Sequence, residues 1–323
     1  MGLIARRLTF SLLAALVAII MSLWWQQAHF VDLFPPIEAA RRLLSGIDPY
    51  STYAFLYRGL PNAPYPLTSL IALSPFALFP GQFAIAAAWG TFNGLLVYGM
   101  LKVAKPWRFL IFLTTPYILA FCLHQFSVLM AAIYLLPSLL PLTLVKPQGG
   151  IPIILVHLTK RRLLWIVGFV LITVLIYPAW PLAWWHYAKN YDGIIPLLLL
   201  PLGPLMVVAL LKWREKDTAF LFLMACMPQR VMYDIVPLYL LPKSFRQMAI
   251  LCILSWATFI PLLFMVKDWW FPEQQVRYSL IACYLPLLVM QVAPVLSEKA
   301  KGWLAFRSNV SENTAINHPK SVG

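Results

Sequence analysis

LTFSLLAALVAIIMSLWW, residues Leu8 to Trp25, stands directly behind the pair Arg6 and Arg7. A bilayer crossing needs about 20 predominantly apolar residues, and this run carries no charge. The arginine pair keeps its leading end in the cytoplasm. The run is too long for a signal-peptide core, and no small-x-small cleavage pattern follows promptly, so it reads as an uncleaved anchor.

The rest of the chain is written for the same solvent. Of 323 residues, 61% are hydrophobic and 11% charged, where a soluble domain carries roughly 25% charged residues. That excludes a soluble enzyme. The net charge of +14 lies on a chain too apolar to be a disordered or nucleic-acid-binding protein. Cys122, Cys226, Cys252 and Cys283 lie in or at the ends of apolar runs without metal-ligand spacing, so no disulfide, metal or cofactor is assigned. The class that remains is an all-α polytopic membrane protein: a single transmembrane domain over residues 1–323, a bundle of about ten crossings.

Apolar runs place those crossings near 8–25, 82–101, 109–123, 126–144, 163–183, 194–212, 217–230, 234–242, 247–266 and 279–296. Residues 26–81 become a first outer loop with short interfacial helices. Within it, the piece from Pro66 to Pro80 is too short to cross and is broken by Pro75. Lys146 to Arg162 reads as a re-entrant or surface segment on the cytoplasmic side, and 297–323 as a cytoplasmic tail. In this arrangement 18 of the 25 basic residues, Lys146 among them, lie inside, and seven of the eleven acids lie outside. The outer face is then neutral, and orientation absorbs the whole net charge.

Few outer charges exist, which narrows the search for chemistry. Asp32 follows the first span in His-Phe-Val-Asp-Leu-Phe, where apolar neighbours would desolvate a carboxylate and raise its basicity. The competing reading is a loop acid or a cap for the helix beginning near Pro35. Asp48, in Gly-Ile-Asp-Pro-Tyr, reads first as a turn residue. Arg41, Arg42, Arg58 and Arg230 suit phosphate oxygens, or serve as anchors at the headgroup level. His186 and Lys189 follow an aromatic belt and are further phosphate candidates. No nucleophile elbow, phosphate-cradling Gly-rich loop, His-Glu-x-x-His or Cys-x-x-Cys is present.

Several motifs, in order, resemble the membrane glycosyltransferases of the GT-C class, and most of all the alpha-mannosyltransferase-like glycosyltransferase family 87. They are Asp32 soon after the first span, the helix with Ala39-Ala40, Gly46-Ile-Asp48-Pro-Tyr50, Tyr65-Pro66, Gln125-Phe-Ser-Val-Leu129, Lys146-Pro-Gln148 and Tyr233-Asp234. The chain departs at Leu67, where a second proline is usual, and at His124, where glycine commonly precedes the glutamine. The resemblance covers most of the chain to about residue 242. It implies a GT-C fold in the bacterial cytoplasmic membrane, both termini inside and the site outside. It also implies transfer of a hexose, mannose in the nearest branch, from a polyprenyl-phosphate donor to a lipid or glycan acceptor, with inversion and with Asp32 as general base. Asp48, Tyr50, Tyr65, His124, Gln125, Tyr233 and Asp234 become substrate-site candidates, and the outer cations hold the leaving phosphate. Two readings of other classes stay open: a flippase or transporter of lipid-linked sugars, and a non-catalytic subunit of an envelope polysaccharide assembly system.

Overall fold

A computed structural model describes residues 2–293 except Phe30, 51–55, 58–59, 62–64, Asn190 and Trp269. Arg58 and the 297–323 tail therefore lie outside the described residues. What is described is a helical membrane protein. α1 (Leu3–Gln26) is a 24-residue helix over the opening run, about 36 Å long at 1.5 Å per residue and apolar enough to cross a membrane. α2 (Phe34–Leu44) starts on Pro35 and Pro36, whose missing N–H groups fall where a helix has no internal partner for them. Gly46, at φ 72°, takes the left-handed turn just past the helix end. α3 (Leu67–Ala77) is the short proline-bearing piece kept out of the count of crossings. α4 (Gly81–Val103) packs along α1 through small residues: a Cβ on Gly90 would collide with Ile19 and lie 2.8 Å from the Ala15 carbonyl.

A 3-10 run, Pro106–Leu113, meets α5 (Thr115–Leu123) at a 62° bend, and the Thr114 hydroxyl accepts from Tyr117 N–H to start α5. α6 (Ser127–Leu135), a second 3-10 run at Pro137–Val145, and α7 (Pro147–His157) follow. α8 (Lys160–Ile176) turns through 91° into α9 (Trp180–Ala188). A 3-10 run at Gly203–Lys212 leads to α10 (Lys216–Ala225), another at Met232–Leu240 to α11 (Phe245–Met265), and α12 (Pro272–Ser279) continues helically to Ala293.

Among the described residues four helices are long and apolar enough to cross a membrane: α1, α4, α11 and Pro272–Ala293. The number is six if each bent pair is one crossing. The expected crossings at 194–212, 217–230 and 234–242 appear as shorter helical pieces.

The expected crossing at 126–144 is not one through-running helix. The Lys146 ammonium lies 3.4 Å from the Gln125 amide oxygen, so the chain between them goes out and comes back. The cause is local. Leu136 precedes Pro137 and Lys146 precedes Pro147, and proline ring atoms push the preceding residue out of helical geometry. Leu136 has φ −122° and ψ 71°, and Lys146 has φ −141° and ψ 81°. Helix therefore breaks at both places, and Lys146 is left on a corner. This corrects the cytoplasmic placement of Lys146: it shares the end of the bundle that holds Asp32 and Asp234, and α7 runs away from that end.

Candidate active site

Asp32 follows α1 in a short irregular stretch. Its N–H donates to the Leu123 carbonyl at 2.7 Å, which ties the loop to the end of α5. There His124 adopts φ 52°, a left-handed conformation that glycine reaches freely and a histidine reaches at a cost. Two bonds hold the turn: His124 N–H to the Phe121 carbonyl at 3.2 Å and Gln125 N–H to Ala120 at 2.9 Å. The fully buried His124 ring is also fixed by Ser22 of α1, 2.6 Å from Nε2. The effect is to aim Gln125 at Asp32.

Gln125 is a bridge. Its amide nitrogen donates to Asp32 Oδ2, and its amide oxygen accepts from Lys146. Lys146 Nζ also pairs with Asp234 Oδ1 at 2.5 Å and lies 4.8 Å from the centre of the Tyr233 ring, a cation–π distance. Asp234 reaches back through Oδ2 to the Arg230 N–H at 3.2 Å. The Arg230 guanidinium meets Asp192 at 3.2 Å. This outer pair is more than half exposed and holds weakly, whereas the Lys146–Asp234 side chains are 11% and 6% exposed. The cluster thus joins Asp32, Gln125, Lys146, Arg230 and Asp234, drawn from four separate stretches of chain.

Burial pushes the Asp32 carboxyl up to about 6 from the ordinary 3.8. Lys146 and Arg230 pull against that rise, and the Asp234 charge adds to it. Asp32 is therefore an ionised carboxylate at neutral pH that is more basic than a free one. Such a group can take a proton from a hydroxyl.

The loop that carries Asp32 is held by tyrosines. The Tyr65 hydroxyl donates to the Asp32 carbonyl at 3.3 Å, and the Tyr50 hydroxyl donates to the Tyr65 carbonyl at 2.9 Å. Asp48 Oδ1 accepts from Tyr50 N–H at 2.8 Å, the turn role read for it from Asp-Pro. Tyr50 and Tyr65 thus act on Asp32 through its backbone, and Tyr233 forms the buried floor.

Other candidates lie elsewhere. Arg41 pairs with Glu38 and donates to the carbonyls of Ala77 and Phe79 at 3.3 and 3.0 Å, so it closes the end of α3 rather than facing Asp32. Arg42 is half-buried on α2. His186 is exposed on α9, and Lys189 is exposed just past its end. The charges that act on Asp32 are Lys146, Arg230 and Asp234. Sequence reasoning missed Lys146 as a site residue, along with Asp192 and the Tyr191 hydroxyl, which is hydrogen-bonded to Gln148. The signal for Lys146 and Gln148 was present in the Lys-Pro-Gln motif.

An open apolar groove of about 740 Å³ lies between α1, α4 and the bent 106–123 pair, lined by Phe10, Leu13, Val17, Trp89 and Phe121 among others, and by none of the charged residues of the cluster. Trp89 and Phe121 reach the His124 ring, with ring centres 4.8 and 5.8 Å away, so the buried His124 stands between the groove and Gln125. Among the groove's lining residues the Tyr117 hydroxyl donates to Asn93 Oδ1 at 2.6 Å, and Asn93 Nδ2 donates to the Trp89 carbonyl at 2.9 Å. Searches against family models, curated proteins and solved structures find no match to this chain.

Proposed function

We propose that this chain is a membrane glycosyltransferase of GT-C type that moves a hexose, mannose in the nearest branch of the resemblance, from a polyprenyl-phosphate donor to a lipid or glycan acceptor. The observation that carries this reading is the pairing of a basic carboxylate, Asp32, with two cations, Lys146 and Arg230. Such a donor presents an anionic phosphate for those cations and a prenyl chain suited to the apolar groove along α1. In the reaction the acceptor O–H gives its proton to Asp32 while the acceptor oxygen bonds to the anomeric carbon. The bond from that carbon to the phosphate oxygen breaks, and its electron pair leaves on the phosphate. Arg230 is placed to receive that charge, because its exposed pairing with Asp192 exchanges at little cost. Lys146, locked to Asp234, supplies a fixed positive field beside Asp32.

In this proposal the Asp32 end faces outward from the bacterial cytoplasmic membrane, both termini lie inside, and the shorter helical pieces complete the bundle. The test is transfer of labelled hexose from a polyprenyl-phosphate donor by the protein reconstituted in lipid. Asp32→Asn should lower turnover by about 10²–10⁴-fold at unchanged folding yield. Full turnover in that variant removes Asp32 as the base. No transfer by the unaltered protein from any hexose donor favours the flippase or the assembly subunit.

A further inference from the structure

The end of the bundle opposite Asp32 holds a second polar cluster. α6 and α7 leave the first cluster beside Gln125 and Lys146, and run to Tyr134 and His157, about 13 to 16 Å away at helical rise. α10 begins at the same place with Lys216 and Asp217. There the Tyr134 hydroxyl donates to Asp217 Oδ1 at 2.6 Å. Lys216 Nζ lies 3.2 Å from His157 Nδ1 and 5.1 Å from the centre of the Tyr134 ring. Arg162 donates to the His157 carbonyl at 2.7 Å. Arg108, only 7% exposed, lies within electrostatic reach of Asp217 and beside the Tyr134 hydroxyl.

Three cations, Arg108, Arg162 and Lys216, thus share this cluster with one acid, Asp217, which accepts from the Tyr134 hydroxyl. Two buried donors are left over: Arg108 Nε and His157 Nε2 have no hydrogen-bond partner among the described residues. A guanidinium buried beyond nine-tenths is strongly unfavourable without an anion to compensate it. The cluster is also graded from outside to inside. Lys216 is exposed, Arg162 and Asp217 are half-buried, and Arg108 and His157 close the bottom.

We propose that this cluster is a second, separate binding site for a phosphate group, entered past Lys216 and closed at depth by Arg108 and His157. Two positive charges in excess match a phosphomonoester, which carries close to two negative charges at neutral pH. A guanidinium presents a planar fork to its oxygens, and the spare His157 nitrogen can serve as a further donor. The phosphate could belong to an anionic lipid headgroup or be free in solution, since both present the same oxygens. The inference does not depend on sugar transfer.

The test uses the full chain in discs of phosphatidylcholine and reads its unfolding temperature. Inorganic phosphate should raise that temperature saturably, where chloride at equal ionic strength does not. If discs containing phosphatidate raise it and free phosphate does not, the ligand is a lipid headgroup. Lys216→Ala removes an exposed side chain and leaves folding intact, and it should weaken the response by about tenfold. Arg108→Gln should abolish it. No rise with either source, or an equal saturation midpoint in unaltered protein and Lys216→Ala, overturns the proposal.

Discussion

Replacing Lys146 by methionine keeps most of the side-chain volume and removes the one buried cation beside Asp32. Two hydrogen bonds of about 3 Å on either side of the Gln125 amide put the two charges roughly 7 Å apart. At an effective dielectric constant of about 20 the attraction is about 2.4 kcal/mol, an upper figure because Asp32 is partly solvated. Since one pKa unit is about 1.36 kcal/mol, a shift of about one unit is expected after screening. The sign is upward, because Lys146 lowers the Asp32 pKa and its loss releases that pull. The midpoint should move from about 6 to roughly 7. Transfer limited by the carboxylate form would then fall about fivefold at pH 6 and hardly at all at pH 8. Infrared difference spectra of the carboxyl group, taken across the same pH range, read the midpoint without needing turnover. An unchanged or lowered midpoint in both assays would refute the electrostatic account. Folding is controlled in parallel. Asp234 left buried alone should cost about 3–5 kcal/mol, and Lys146→Met combined with Asp234→Asn should recover most of that in thermal unfolding.

Asp32 is held against its own preference, so Asp32→Asn should raise the unfolding temperature. Because its folded pKa lies above the unfolded value of 3.8, ionisation opposes folding, and that penalty grows as pH rises from about 4 to 6. The gain in Asp32→Asn, about 1–3 kcal/mol, should therefore be full above pH 6 and vanish below pH 4; a loss of stability above pH 6 would contradict it. Gly150→Ala puts a Cβ into the Thr143 carbonyl where α7 passes the Pro137–Val145 run, and should lower stability by about 1–3 kcal/mol in a melt. Ser22→Val strips His124 Nε2 of its partner and should cost about 1–3 kcal/mol, with the loss readable in the same assay. A membrane-impermeant thiol reagent applied outside intact cells, in a background without the native cysteines, should label a cysteine at position 48 and miss one at 161. Labelling of both or of neither contradicts the orientation.

The membrane class and the anchor were legible in the sequence because hydropathy is a sum over neighbouring residues, and a window on Leu8–Trp25 contains all that α1 needs. The long apolar helices α4 and α11 were legible for the same reason. The run at 126–144 was not. It has the length and apolarity of a crossing, yet prolines at 137 and 147 act on the residues before them, and that local break turns a rod into a hairpin. Composition carries no record of such a bend, so Lys146 was sorted to the wrong end.

The same distinction divides the candidate site. Asp32 and Arg230 could be named from residue type and place in the chain, and Gln125 and Asp234 from the motifs that carry the resemblance. Asp48 could be read as a turn from its proline, and Arg41 from sequence alone looked as fit for phosphate as Arg230. What the amino-acid sequence determined by itself is a chain that must live in a bilayer, with few charges to spare and an acid just past its first span. Only the tertiary structure decided which charges meet. Gln125 lies 93 residues from Asp32, and Asp234 lies 88 from Lys146. The bends at Leu136 and Lys146 and the left-handed turn at His124 set whether such distant groups touch. A carboxylate takes its basicity from those neighbours and from its burial, and neither exists until the helices have packed.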